Sequence, residues 1–139
     1  MTSGSFVWPV RVYIEDTDAG GIVFYANYLR FMERARTEFI RSLGFPRLET
    51  VDLDAQFVVH SLALQYHSPA RLDDEVAVSA NIVKLGRTYM EFEQNITRGA
   101  KAELLVSGRV KVACIDKVSF KPRPIPGNLA SALQKGINV

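Results

Sequence analysis

Cysteine is nearly missing: Cys114 is the only one among 139 residues, which excludes a disulfide within the chain and any all-cysteine zinc site. No apolar run approaches the roughly 20 residues that a bilayer-crossing helix needs. Neither sign of charge dominates, with 17 basic against 15 acidic residues. The basic ones are scattered, which argues against nucleic-acid binding as the main task. The opening MTSGSFVWPVRVYIED lacks a basic segment followed by an apolar one, so an export leader is not expected and a cytoplasmic location is. Repeats, charge blocks and low-complexity stretches are also missing, and residues 1–139 read as one domain.

What is present is the balance of a folded domain, 47% hydrophobic and 23% charged. Phe6, Trp8, Val10, Val12 and Ile14 alternate with other residues, which predicts a half-buried strand, with Pro9 favouring an edge. From Tyr25 or Asn27 to Leu43 the spacing predicts a long helix. Tyr28, Met32, Ala35, Phe39 and Leu43 make its apolar stripe, and Leu29 and Ile40 widen it. Arg30, Glu33, Arg34, Glu38 and Arg41 sit at three- and four-residue spacings on the rest of its surface. Gly44 and Pro46 then supply a stop.

Strand-like runs follow near 57–67, 75–85, 88–98 and 102–115, separated by the turn-forming SPARLDD, LGR and TRGAK. In the last run Leu104, Val106, Val110 and Val112 alternate. The tail KPRPIPG is expected to be extended, with a short helix after it. Short connections join antiparallel neighbours, so the economical fold is α+β, an antiparallel sheet curled around one helix. One helix leaves a sheet face and an edge uncovered, which predicts dimerisation.

The chemistry-bearing stretch runs from Glu15 to Tyr28, where Asp16, Asp18, Gly20 and Gly21 stand between a strand and the start of the helix. The first turn of a helix offers free N–H groups and partial positive charge, and both favour an oxyanion. Glycines let a ligand approach the backbone, and a carboxylate there can act as base or nucleophile. Capping and turn formation account for the same composition and leave the question open. A calcium loop does not fit, because Gly20 and Asn27 occupy positions that need carboxylates or amides, and a carboxylate, respectively. His60 and His67 fall on opposite faces of a strand and read as partly buried polar residues rather than metal ligands. Cys114 reads as a small core residue.

The segment from Arg11 to Val23, with Tyr25, Asn27, Tyr28 and Glu33-Arg34-Ala35-Arg36, resembles the hotdog-fold thioesterases of the 4-hydroxybenzoyl-CoA thioesterase family, most closely its YbgC-type branch. Phe57-Val58-Val59, Tyr66, residues 68–74 and Lys121-Pro122-Arg123 extend the likeness over nearly the whole chain. The resemblance implies a hotdog fold, a curved sheet of five or six strands around one central helix, paired into dimers and dimers of dimers, with active sites at subunit interfaces. It implies an acyl-CoA substrate and no cofactor. Asp18 would be the catalytic carboxylate, and a backbone N–H near Tyr25 the carbonyl-polarising group. Gly20, Gly21, Lys84, Arg87 and Thr88 would bind substrate. Many YbgC-type sequences carry histidine at the position of Tyr25, and some carry tyrosine at that of Ile14; with no imidazole at position 25, the burden on Asp18 rises. Two other readings stand beside hydrolysis: a dehydratase, which would need a histidine near the acid, and a non-catalytic acyl-CoA-binding or scaffold subunit associated with acyl carrier protein or envelope-lipid enzymes.

Overall fold

A computed structural model describes residues 6–48 and 51–137. Strand β1 (Val7–Arg11) leads through a 3₁₀ turn (Ile14–Asp16) and a second one (Tyr25–Asn27) into helix α1 (Tyr28–Ser42). Then come β2 (Ala55–Tyr66), β3 (Glu75–Ser79), β4 (Asn81–Leu85), β5 (Tyr89–Arg98), β6 (Glu103–Asp116) and helix α2 (Gly127–Ile137). All strand pairs are antiparallel, in the order β1-β3-β5-β6-β2. Strand β4 also pairs with β5, so β3 and β4 are two halves of one bent strand interrupted at Ala80.

The break is closed by a polar staple. Gln94 is fully buried, donates its amide to Met32 O and Ser79 O, and accepts from Arg36 Nη1 at 2.9 Å. A buried amide satisfied on both ends holds helix and sheet in one register. Burial draws the Arg36 guanidinium below its ordinary range, opposed by the charge of Glu33.

Helix α1 buries Tyr28, Phe31, Met32, Ala35, Phe39 and Ile40. The stripe is turned toward Phe31, and Leu29 is only half-buried, because the Phe31 ring packs edge-on against Tyr28. Gly44, at φ +100°, ends the helix as its spacing predicts, and Glu38 pairs with Arg41 at 2.7 Å. At the N-terminal strand the expected alternation holds for Val10 and Val12, while Trp8 is partly exposed and Ile14, in the 3₁₀ turn, is 75% exposed.

Register shifts change the alternation elsewhere, at Val83 in β4, in β6 and in β2. Leu105 is inserted between Val106 and Leu104 relative to β5, so Leu105 is buried and Leu104 leaves the core. In β2 the register shifts at His60. Phe57 and Val59 before the bulge, and Leu62, Leu64 and Tyr66 after it, therefore lie opposite the core-facing positions of β6. His60 and His67 are both exposed, against the expectation of partial burial. Cys114 is in the core, and burial raises its thiol pKa. The outer sheet face carries Glu91, Glu93, Arg109 and Lys111. That face is already fit for water, and the edge strand β2 is left with Val59, Leu62 and Tyr66 exposed.

Candidate active site

The acidic loop is a small hairpin built by division of labour between its two aspartates. Asp16 is buried: Oδ2 accepts from Tyr13 N–H at 2.8 Å and Oδ1 from Asn27 Nδ2 at 2.7 Å, while its carbonyl accepts from Phe24 N–H. The end of β1, the hairpin and the first turn of the helical rod are thus tied to one carboxylate. Thr17 and Val23 bridge as a miniature ladder, and Gly21, at φ +79°, makes the turn between them.

Asp18 stands at the exposed tip. Its Oδ1 accepts from Gly20 N–H at 2.8 Å, its carbonyl from Gly21 N–H, and its own N–H reaches Ile22 O. One carboxylate oxygen is therefore oriented by the loop, and no second partner holds the other among the described residues. A Cβ at position 20 would lie 3.3 Å from Asp18 Oδ1, close enough to disturb that orientation.

The segment 68–74 is the rail on which the hairpin rests. Ile22 bridges Arg71, Leu72 N–H donates to Gly21 O, and Val23 N–H donates to Ala70 O. Ala70 N–H in turn donates to the buried Tyr28 hydroxyl at 2.9 Å. Arg98 fixes the rail's far end by donating to Asp74 Oδ2 at 2.7 Å and Pro69 O at 3.2 Å. Burial would push the Asp74 carboxyl up, but the Arg71 N–H and the Arg98 guanidinium overcome it and hold the carboxyl below its usual range. A carboxylate held low contributes stability above its unfolded pKa, and that contribution is lost as pH falls through the folded value. Urea midpoints should therefore decline below about pH 4, and Asp74→Asn should flatten that decline while lowering the neutral-pH midpoint.

At the opening of the rod, Asn27 N–H turns back to Phe24 O, while the amides of Tyr25 and Ala26 donate to no acceptor among the described residues. Beside them lies a cleft of about 340 Å³ lined by Ile22, Val23, Tyr25, Tyr28, Tyr66 and His67, continuing over Ser68 and Pro69. The Tyr66 hydroxyl donates to Tyr25 O at 3.1 Å. The Tyr25 side chain is 64% exposed and packs on Phe24, so what position 25 offers the cleft is backbone as well as ring.

Sequence reasoning missed Tyr66, Tyr28 and His67 as cleft residues. His67 stands far along the chain from the helix start and reaches the cleft because β2 ends beside it; its Nε2 lies 2.9 Å from Ser107 Oγ. Among the described residues no cluster of His, Cys, Asp and Glu could hold a metal. Lys84, Arg87 and Thr88 are not brought to the Asp18 hairpin. They flank Tyr89, at the opposite end of β5 from Arg98, roughly 30 Å away at about 3.4 Å per residue. There Lys84 and Lys111 place their ammonium groups 5.8 and 4.3 Å from the Tyr89 ring centre.

The thioesterase superfamily model matches residues 20–104. The chain is 39% identical to the acyl-CoA thioester hydrolase YbgC of Escherichia coli O6:H1, covering 97% of this chain and all of that one. It is 41% identical to the acyl-CoA thioesterase YbgC of Haemophilus influenzae, over 95% and 96% of the two chains. Among solved structures, a gentisyl-coenzyme A thioesterase superposes with a TM-score of 0.80 at 31% identity, covering 91% of this chain and 98% of that one. Matched along nearly its whole length in sequence and in fold, the chain belongs to the thioesterase superfamily and has its hotdog architecture.

Proposed function

We propose that this protein hydrolyses an acyl-CoA thioester to a free acid and CoA, with Asp18 as base or nucleophile. The observation that carries the reading is an oriented, exposed carboxylate on the hairpin leading directly into a helical turn whose first two amides have no acceptor among the described residues. The thioester oxygen would face the Tyr25 and Ala26 N–H groups, and the negative charge that forms there on attack would be held by them. Asp18 either attacks the carbonyl carbon, forming an anhydride that water then opens, or takes a proton from the attacking water. In both courses the C–S bond breaks with the electron pair leaving on sulfur. A thiol ionises near pH 8.5, so the departing group needs no strong acid. The relatives named as acyl-CoA thioesterases support the substrate class.

The working unit in this reading is a dimer. Phe57, Val59, Leu62, Leu64 and Tyr66 form an inward stripe on an edge strand, and Val59, Leu62 and Tyr66 are each more than 40% exposed in one chain. Antiparallel pairing of two β2 edges covers that stripe and removes both open ladders. It also reverses one protomer against the other, moving the Tyr89 end of one toward the Asp18 end of its partner. Lys84, Arg87 and Thr88, joined by Lys111, would then receive the CoA nucleotide across the interface. Lys84→Met with Lys111→Met should raise KM for an acyl-CoA severalfold at unchanged kcat, and leave hydrolysis of the matching acyl-N-acetylcysteamine unaltered.

Thiol release over short-chain, long-chain and aromatic acyl-CoAs tests the function. Release from at least one is expected. Affinity without release would instead make the protein a binding module.

A further inference from the structure

The Tyr66 hydroxyl is spent on a main-chain atom within the cleft that the hydrolysis uses. Its acceptor, Tyr25 O, belongs to the same peptide unit as Ala26 N–H. In a trans peptide these two groups point in opposite directions. The carbonyl is turned to Tyr66, so the N–H is turned to the opposite side of that peptide, where no acceptor among the described residues takes it. A hydrogen bond received by a carbonyl makes the N–H across the same peptide a stronger donor, because the two dipoles polarise one another.

We propose that Tyr66 is a positioning residue for the hydrolysis: its phenol orients and polarises the Tyr25–Ala26 peptide so that Ala26 N–H meets the thioester oxyanion. This rests on the acyl-CoA thioesterase reading above. Three features suit Tyr66 to the task. It is the last residue of β2, with its backbone registered against Val106 in the long β2–β6 ladder, so its Cα is fixed by the sheet. Its ring packs against Tyr28 at 5.7 Å and edge-on to Tyr25 at 6.5 Å, which restricts the phenol's swing. Burial, with the neighbouring tyrosines, raises the phenol's pKa, so the donor keeps its proton throughout the neutral range. The second 3₁₀ turn, Tyr25–Asn27, has no side-chain cap of its own. Tyr66 supplies from the sheet the constraint that a cap would give.

The test is Tyr66→Phe in the full-length protein, which keeps the ring and removes the hydroxyl. On the acyl-CoA that wild type turns over fastest, kcat should fall about tenfold, the scale of one neutral hydrogen bond, with KM within about twofold and an unchanged melting temperature. A second readout uses benzoyl-CoA bound to the turnover-deficient Asp18→Asn protein. Infrared difference spectra should show its thioester carbonyl stretch lowered from the free value, and adding Tyr66→Phe should move it part of the way back. An unaltered kcat, a change in KM alone, or a loss of stability with no movement of the carbonyl stretch would overturn the proposal. If wild type releases thiol from no acyl-CoA, the parent reading fails and this one with it. An active wild type matched by an equally active Tyr66→Phe sinks only the role of Tyr66.

Discussion

Asp18→Asn is expected to lower kcat at least ~1,000-fold, the scale seen when a reacting side chain is removed from an enzyme, while the protein stays folded and assembled as before. The asparagine carbonyl can still accept the Gly20 N–H that orients Asp18 Oδ1. The side chain is exposed, and no ion pair is lost with its charge among the described residues. Stability should therefore change by no more than about 0.5 kcal/mol. What the substitution removes is chemistry: a carboxamide neither attacks a thioester usefully nor takes a proton from water. Single turnover of wild type in ¹⁸O water then tests for attack by Asp18. Label in the first equivalent of acid is the result of a base, and equally of an anhydride opened at its acyl carbon. Unlabelled acid in that first equivalent indicates attack by Asp18, whose own oxygen is transferred.

Asp16→Asn, the same change two residues earlier, should cost stability as well as turnover. Asp16 presents one oxygen to Tyr13 N–H and the other to Asn27 Nδ2, and both of these are donors. An asparagine there keeps one acceptor and turns an NH₂ group toward the remaining donor, inside the protein. Loss of one charge-assisted bond, together with a buried donor left unsatisfied, costs about 2–4 kcal/mol. The hairpin would also come loose from the rod, so activity should fall along with the urea midpoint and melting temperature. Two isosteric variants would then share a loss of turnover, and only the first would retain wild-type stability. An Asp16→Asn protein as stable as wild type would contradict the account of how the hairpin is held.

The helix and the strand runs were legible because each rests on local periodicity. Tyr28, Met32, Ala35 and Phe39 step along one face, Gly44 ends it, and the expected bounds lie within a few residues of those observed. What periodicity hid were the places where the chain departs from it. An inserted residue at His60, midway along β2, and another at Leu105, near the start of β6, reverse the inward and outward faces. Nothing in the local pattern announces either, because the constraint comes from the neighbouring strand. The break between β3 and β4 is likewise set by Gln94 across the sheet. The hairpin's acidic and glycine residues marked it as a candidate in sequence, and the roles of its aspartates separate only once burial is known, with Asp16 inside and Asp18 outside. Nothing in the sequence placed Tyr66 and His67 at the cleft, since the end of β2 meets the start of α1 only in the folded chain. Lys84, Arg87 and Thr88 came from the resemblance alone, and within one protomer they lie at the far end of β5 from the Asp18 hairpin.

A crystal structure of the Asp18→Asn protein with an acyl-CoA substrate retained in the cleft bears most directly on the central claim. The account predicts the thioester oxygen about 2.7–3.1 Å from Ala26 or Tyr25 N–H, and the residue-18 carboxamide about 3–3.5 Å from the thioester carbon, or one water away from it. A thioester bound elsewhere, with those amides turned to solvent and residue 18 pointing away from the carbonyl, would contradict it.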